Sequence, residues 1–228
     1  MMKTYASCVL LIAWLGAPAL LNAEMDREAL EAWFFDDEDM ASVRALAVNE
    51  GELTFLTRPP QDTPHHHQNT LYITPESLNS GWVALTQCHE NLDAVGQLQI
   101  TFRKGNIRNL KVVEQQNISE AWAEEASIQL RDVKDNARIC LSAESKILQP
   151  QGDNTVLISN GPYMRKYLDG YYPMRVSMQI HYPQEQLEML GISPQQQDGF
   201  QVTDSKGVLQ FDTLFEGELR TQITMQTR

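Results

Sequence analysis

After Gly51 the apolar residues of this chain stop recurring every three or four positions and begin to alternate, and that change of period most restricts the folds open to it. Leu98, Ile100 and Phe102 alternate with Gln97, Gln99, Thr101 and Arg103; Val176, Met178, Ile180 and Tyr182 alternate with Ser177, Gln179 and His181. A two-residue period sends one face of a strand into a core and the other into water, as half-buried antiparallel sheet requires. Runs at 52–56, 70–74, 81–88, 97–103, 137–143, 155–158, 174–182 and 218–225 are therefore predicted strands. Lys104-Gly105-Asn106, Gly152-Asp153-Asn154, Asp169-Gly170 and Lys206-Gly207 supply residues tolerant of positive φ and predict hairpins. A helix is a weaker expectation from Ser119 to Ser127, where the period fades.

Many short strands with frequent turns, and no βαβ spacing, predict a mainly β fold: an antiparallel β-sandwich or partly closed barrel over 52–228. Ahead of it, 24–51 reads as a short N-terminal helical arm. Leu30, Trp33 and Phe34 share a face there, and the carboxylates of Asp36 to Asp39 suit a helix start. The first 23 positions read as a secretory signal peptide, with Lys3, an apolar run from Cys8 to Leu21 and a small-residue exit at Ala23. No transmembrane segment is expected once that peptide is removed, and the expected location is periplasmic or secreted.

In an oxidising compartment the two remaining cysteines, Cys88 and Cys140, are expected to pair, since no CxxC motif offers a redox centre. The formal charge of −12, from 18 Lys+Arg and 30 Asp+Glu, argues against nucleic acid as a partner.

Two segments carry candidate chemistry. His65-His66-His67 places three of the five histidines together. In extended backbone His65 and His67 point one way and His66 the other, so His65, His67 and His89 form a candidate zinc or copper set; the alternative is a solvated histidine run in a polar loop. His89-Glu90-Asn91-Leu92-Asp93 fails the zinc-protease helix motif, because Asp93 stands where its second histidine belongs. The second segment, Tyr163 to Arg175, gathers Tyr163, Arg165, Lys166, Tyr167, Tyr171, Tyr172 and Arg175 in an otherwise acidic chain. Aromatic faces with guanidinium forks suit a sugar, a carboxylate or a protein surface, whereas the plain alternative is a turn corner whose cations pair with nearby acids. Met174 and Met178 fall in the apolar register of their strand and are expected in the core.

No GxSxG elbow, phosphate loop, GxGxxG or CxxCH occurs. The sequence is therefore read as a non-enzymatic binding or accessory protein of the cell envelope with no cofactor, recognising a glycan or a partner protein through the Tyr/Arg segment. A metal-dependent hydrolase or metal-handling protein built on the histidines, and a structural envelope subunit, are the alternatives.

Overall fold

A computed structural model describes residues 51–228. The expected signal peptide and all but the last residue of the helical arm lie outside the described residues. Beyond Gly51 the chain is mostly strand, arranged in largely antiparallel sheets as a β-sandwich. The one helix among the described residues, α1 (Pro75–Ser80), is a single well-capped turn: Thr74 and Ser77 form a reciprocal capping box, and Gly81 ends it in left-handed backbone.

The larger sheet runs β1 (Thr54–Phe55), β14 (Val208–Glu216), β11 (Met174–His181), β2 (His65–Tyr72), β3 (Trp82–Leu92), β6 (Ser127–Lys146), β4 (Gln97–Thr101). In it β13 (Val202–Ser205) also pairs with β14, and β5 (Ile107–Glu124) with β6. Every pairing is antiparallel except that of β2 with β11. The smaller sheet runs β12 (Leu187–Ser193), β15 (Leu219–Thr227), β8 (Thr155–Tyr163), β7 (Leu148–Gly152). Inward residues of both sheets meet in one core, with Val176, Met178, Leu209, Phe211 and Phe215 from the larger sheet and Ile158, Leu219 and Ile223 from the smaller. Met174 and Met178 are buried there, as their register predicted.

A second core has a different origin. The β5–β6 hairpin has arms of 18 and 20 residues. Drawn straight, it would reach about 60 Å at ~3.3 Å per residue. It cannot be straight, because the short link after β4 touches both of its ends. Phe102 N–H donates to Ala126 O at the hairpin tip, and Lys146 N–H donates to Asn106 O at its base. The hairpin therefore folds back on itself. Register shifts at Arg108/Lys111, Val112/Glu114 and Gln116/Ile118, with positive φ at Asn109, Asn117, Asp132 and Asn136, supply the bend. Ile118, Ile128, Leu130, Val133, Ile139 and Leu141 close on one another inside the fold.

The structure corrects several expectations. The run 119–127 continues β5 into the turn before β6, a strand end and not a helix. Lys104-Gly105-Asn106 is a turn but not a hairpin turn, since the strands it joins both pair with β6. The other three predicted turns do close hairpins. The histidine run is not a loop: β2 begins at His65. Cys88 and Cys140 are joined, directly opposite one another on β3 and β6 with Cα atoms 4.1 Å apart.

Candidate functional site

The histidines sit where the two apolar cores meet. Across the larger sheet the register aligns Val176, His67, His89 and Ile139, and in the next inward row Met178, Asn69, Gln87 and Leu141. The two central strands thus place polar side chains on the buried face while the strands on either side stay apolar. Buried polar groups persist only when satisfied by partners, and here they satisfy each other. Gln87 Nε2 donates to His89 Nε2 at 2.7 Å, which leaves the His89 proton on Nδ1, facing His65 Nε2 at 3.0 Å. His67 Nε2 donates to Asn69 Oδ1 at 3.0 Å, and Asn69 Nδ2 donates to the Tyr163 hydroxyl at 2.8 Å. The His67 and His89 rings lie 4.4 Å apart, and Tyr163 meets His67 edge to face.

Burial is the main cause of the network's charge state. It lowers His65 to about 4, where the nearby Asp93 pulls upward and Arg165 downward. Burial and the neighbouring His65 take His67 to about 3, and burial holds His89 well below its ordinary value. All three imidazoles are neutral near pH 7, and burial also pushes the Tyr163 hydroxyl up, so it stays protonated. The structure therefore does bring His65, His67 and His89 together. His65 Nε2, His67 Nε2 and both nitrogens of His89 are engaged as described, and among the described residues no group of three or more His, Cys, Asp or Glu is arranged to hold a metal ion.

Asp93 links this network to the Tyr/Arg segment. Arg165 Nη2 donates to Asp93 Oδ1 at 2.7 Å, and the Tyr167 hydroxyl donates to the other carboxylate oxygen. Burial pushes the Asp93 carboxyl up, but these two hydrogen bonds overcome it and hold the group below the ordinary carboxylate value. Arg165–Tyr167 (β9) and Gly170–Tyr172 (β10) form a two-stranded hairpin that belongs to neither large sheet. Its Tyr167 and Tyr172 rings pack edge to face with centroids 5.2 Å apart, and the Arg165 guanidinium lies 5.3 and 5.7 Å from them. The Tyr172 hydroxyl donates to Asp169 at 2.6 Å. Lys166 lies over Tyr171, whose ring in turn packs against Gly51 so closely that a Cβ there would come within 3.1 Å. Leu168, at the turn, is fully exposed.

The seven residues of the Tyr/Arg segment are thus divided. Arg165, Lys166, Tyr167, Tyr171 and Tyr172 belong to the hairpin, and Tyr163 is buried beneath it in the polar network. Arg175 is on the opposite, outward face of β11, bound in bidentate fashion to Asp212 at 2.8 and 2.7 Å. The sequence reading missed Asp93, Asn69 and Gln87. For Asn69 the signal was present: once the strand starts at His65, Asn69 shares its face with His67 and Leu71. Asp93 gave no local signal, since it meets Arg165 across 72 positions.

No family model and no curated protein matches the chain. Solved structures similar to it include an M1 zinc metallopeptidase mutant from Deinococcus radiodurans bound to a Tyr-Ser-Ala substrate, with a TM-score of 0.39 and 9% identity. Another is a two-domain M1 zinc metallopeptidase mutant bound to L-tryptophan, with a TM-score of 0.36 and 9% identity. Each match covers 78% of this chain but only 43% and 44% of the other, so the chain spans less than half the length of either. Similarity at this level assigns neither a family nor an activity.

Proposed function

We propose that this chain is an exported, non-enzymatic binding protein of the cell envelope that docks a partner protein through the β9–β10 hairpin. One observation carries the reading: a fully exposed Leu168 stands beside two tyrosines, Tyr167 held by Asp93 and Tyr172 by Asp169, with the Arg165 guanidinium near both rings. Tyr and Arg held rigid before binding lose little side-chain freedom on contact, and such residues dominate the energetics of interfaces. A projecting apolar tip suits insertion into a protein surface better than the cradling of a sugar, which calls for a concave site. The Cys88–Cys140 bond supports an oxidising compartment. The polar network beneath serves as the rigid base from which Asp93 holds the hairpin.

The test is a triple variant, Tyr167→Ala, Leu168→Asp and Tyr172→Ala, expressed in its native envelope. The proposal expects the wild type to migrate in a larger complex and the variant to migrate alone, with an unchanged unfolding midpoint. Co-migration of the folded variant with the same complex overturns it.

A further inference from the structure

The outward face of the larger sheet carries a cleft of about 520 Å³ that the hairpin does not use. Its floor is a one-way chain of hydrogen bonds. Gln68 Nε2 donates to His66 Nδ1 at 3.1 Å, so the His66 proton is on Nε2 and is donated to Ser177 Oγ at 2.6 Å. Ser177 Oγ donates onward to Asp212 Oδ2 at 2.9 Å, and Arg175 clamps both oxygens of that carboxylate. Although His66 Nδ1 also faces Glu90 Oε2 at 3.6 Å, the Ser177 hydroxyl proton is already committed to Asp212 and is not shared with His66. The Ser177–His66 contact is therefore a brace and not a nucleophile with its base.

Alongside that floor the register lines up Thr203, Gln210, Gln179, Thr70 and Thr86, one from each of β13, β14, β11, β2 and β3. Neighbouring side chains in such a row stand about 4.8 Å apart, close to the length of one pyranose residue. Gln179 and Gln210 are exposed and, among the described residues, have no side-chain partner. One ladder step further on, Tyr72 stacks on His181 with ring centroids 4.7 Å apart and planes 13° from parallel, and Tyr72 is 45% exposed.

The charge pattern selects the ligand. Asp212 is the one acidic or basic side chain besides His66 among the cleft's lining residues, and Arg175 neutralises it. On a chain of net charge −12, an anion meets an opposing field, and a cation finds no unpaired carboxylate here. Primary amides and threonine hydroxyls both donate and accept, as the vicinal hydroxyls of a sugar require, and an aromatic face suits the apolar face of a pyranose.

We propose that this cleft binds a neutral oligosaccharide laid across the strands along the Thr203 to Thr86 row, with Tyr72 as the stacking platform. The site is separate from the hairpin and stands or falls independently of it. Maltotriose, cellotriose and N-acetylated chitotriose are each titrated into the purified isotope-labelled protein, with the side-chain amide resonances of Gln179 and Gln210 as the readout. The expected result is saturable shifts of both resonances with at least one trisaccharide. The Gln179→Ala, Gln210→Ala double variant, followed through the backbone amide resonances of Thr70 and Thr203 in the same cleft, should bind about tenfold or more weakly than the wild type followed the same way, as loss of two hydrogen bonds implies, with an unchanged unfolding midpoint. Absence of shifts with all three sugars at millimolar concentration, or undiminished affinity in the folded double variant, overturns the proposal.

Discussion

Acid should destabilise this fold well before its carboxylates titrate. In the unfolded chain each histidine titrates near pH 6.5, whereas the native network holds His65 at about 4 and His67 at about 3. The native state thus favours the neutral rings. Their contribution is fully present above the unfolded value and is withdrawn as pH falls through it, until the native groups themselves take up protons. At pH ~4.5 each ring costs about 2.7 kcal/mol, from two pH units at ~1.36 kcal/mol each. His65 and His67 together withdraw about 5 kcal/mol, and His89 adds to the loss. That is comparable with the entire stability of many domains, ~5–15 kcal/mol. Asp93 and Asp212, both held below the ordinary carboxylate value, lose their contributions only at lower pH, so this window isolates the histidines. The assay is urea unfolding followed by tryptophan fluorescence at pH ~7 and ~4.5. With a slope of about 2.5 kcal/mol/M the midpoint should fall by about 2 M. A His67→Gln, His89→Gln variant that still folds should lose more than half of that dependence. A wild-type midpoint indifferent to pH across the window would refute the buried neutral network, as would an undiminished fall in the variant.

Other consequences concern the frame. The bond between Cys88 and Cys140 closes a loop of 52 positions, so Cys140→Ser should lower stability by about 4 kcal/mol on the chain-entropy account; chemical denaturation of the oxidised wild type and the variant gives the difference. Gly217 has φ +87°, and a Cβ there would come within 2.1 Å of Glu52 O. Gly217→Ala should therefore cost about 2–3 kcal/mol and detach β1, which hydrogen exchange would register at the Leu56 amide, bound in the native fold to Leu214 O at 2.8 Å.

How much of each strand could be read from the sequence depended on its regularity. β11 alternates cleanly and pairs without a bulge, so both its position and its buried face were legible. β5 was invisible for the opposite reason. The first register shift moves the inward apolar residues from the parity of Ile107 to that of Leu110 and Val112, and between the other two shifts Glu114 to Asn117 carry no apolar side chain, so no two-residue period survives from Ile107 to Glu124. β2 was placed five residues late because its inward positions are His65, His67 and Asn69, and a polar buried face has no hydrophobic alternation to detect. For the same reason the grouping of His65, His67 and His89 could be proposed from parity, while their polar surroundings could not. The Asp93–Arg165 pair that joins the two candidate segments depends on how the chain returns in space, and no spacing records it.

The most direct measurement of the central claim is site-specific photo-crosslinking in the native envelope, with the photoreactive residue at Leu168. The account predicts a discrete adduct with one partner protein. It should vanish when Tyr172→Ala is added and be absent when the probe is moved to Lys206, at the β13–β14 turn. No adduct at Leu168, or the same adduct from both positions, would contradict it.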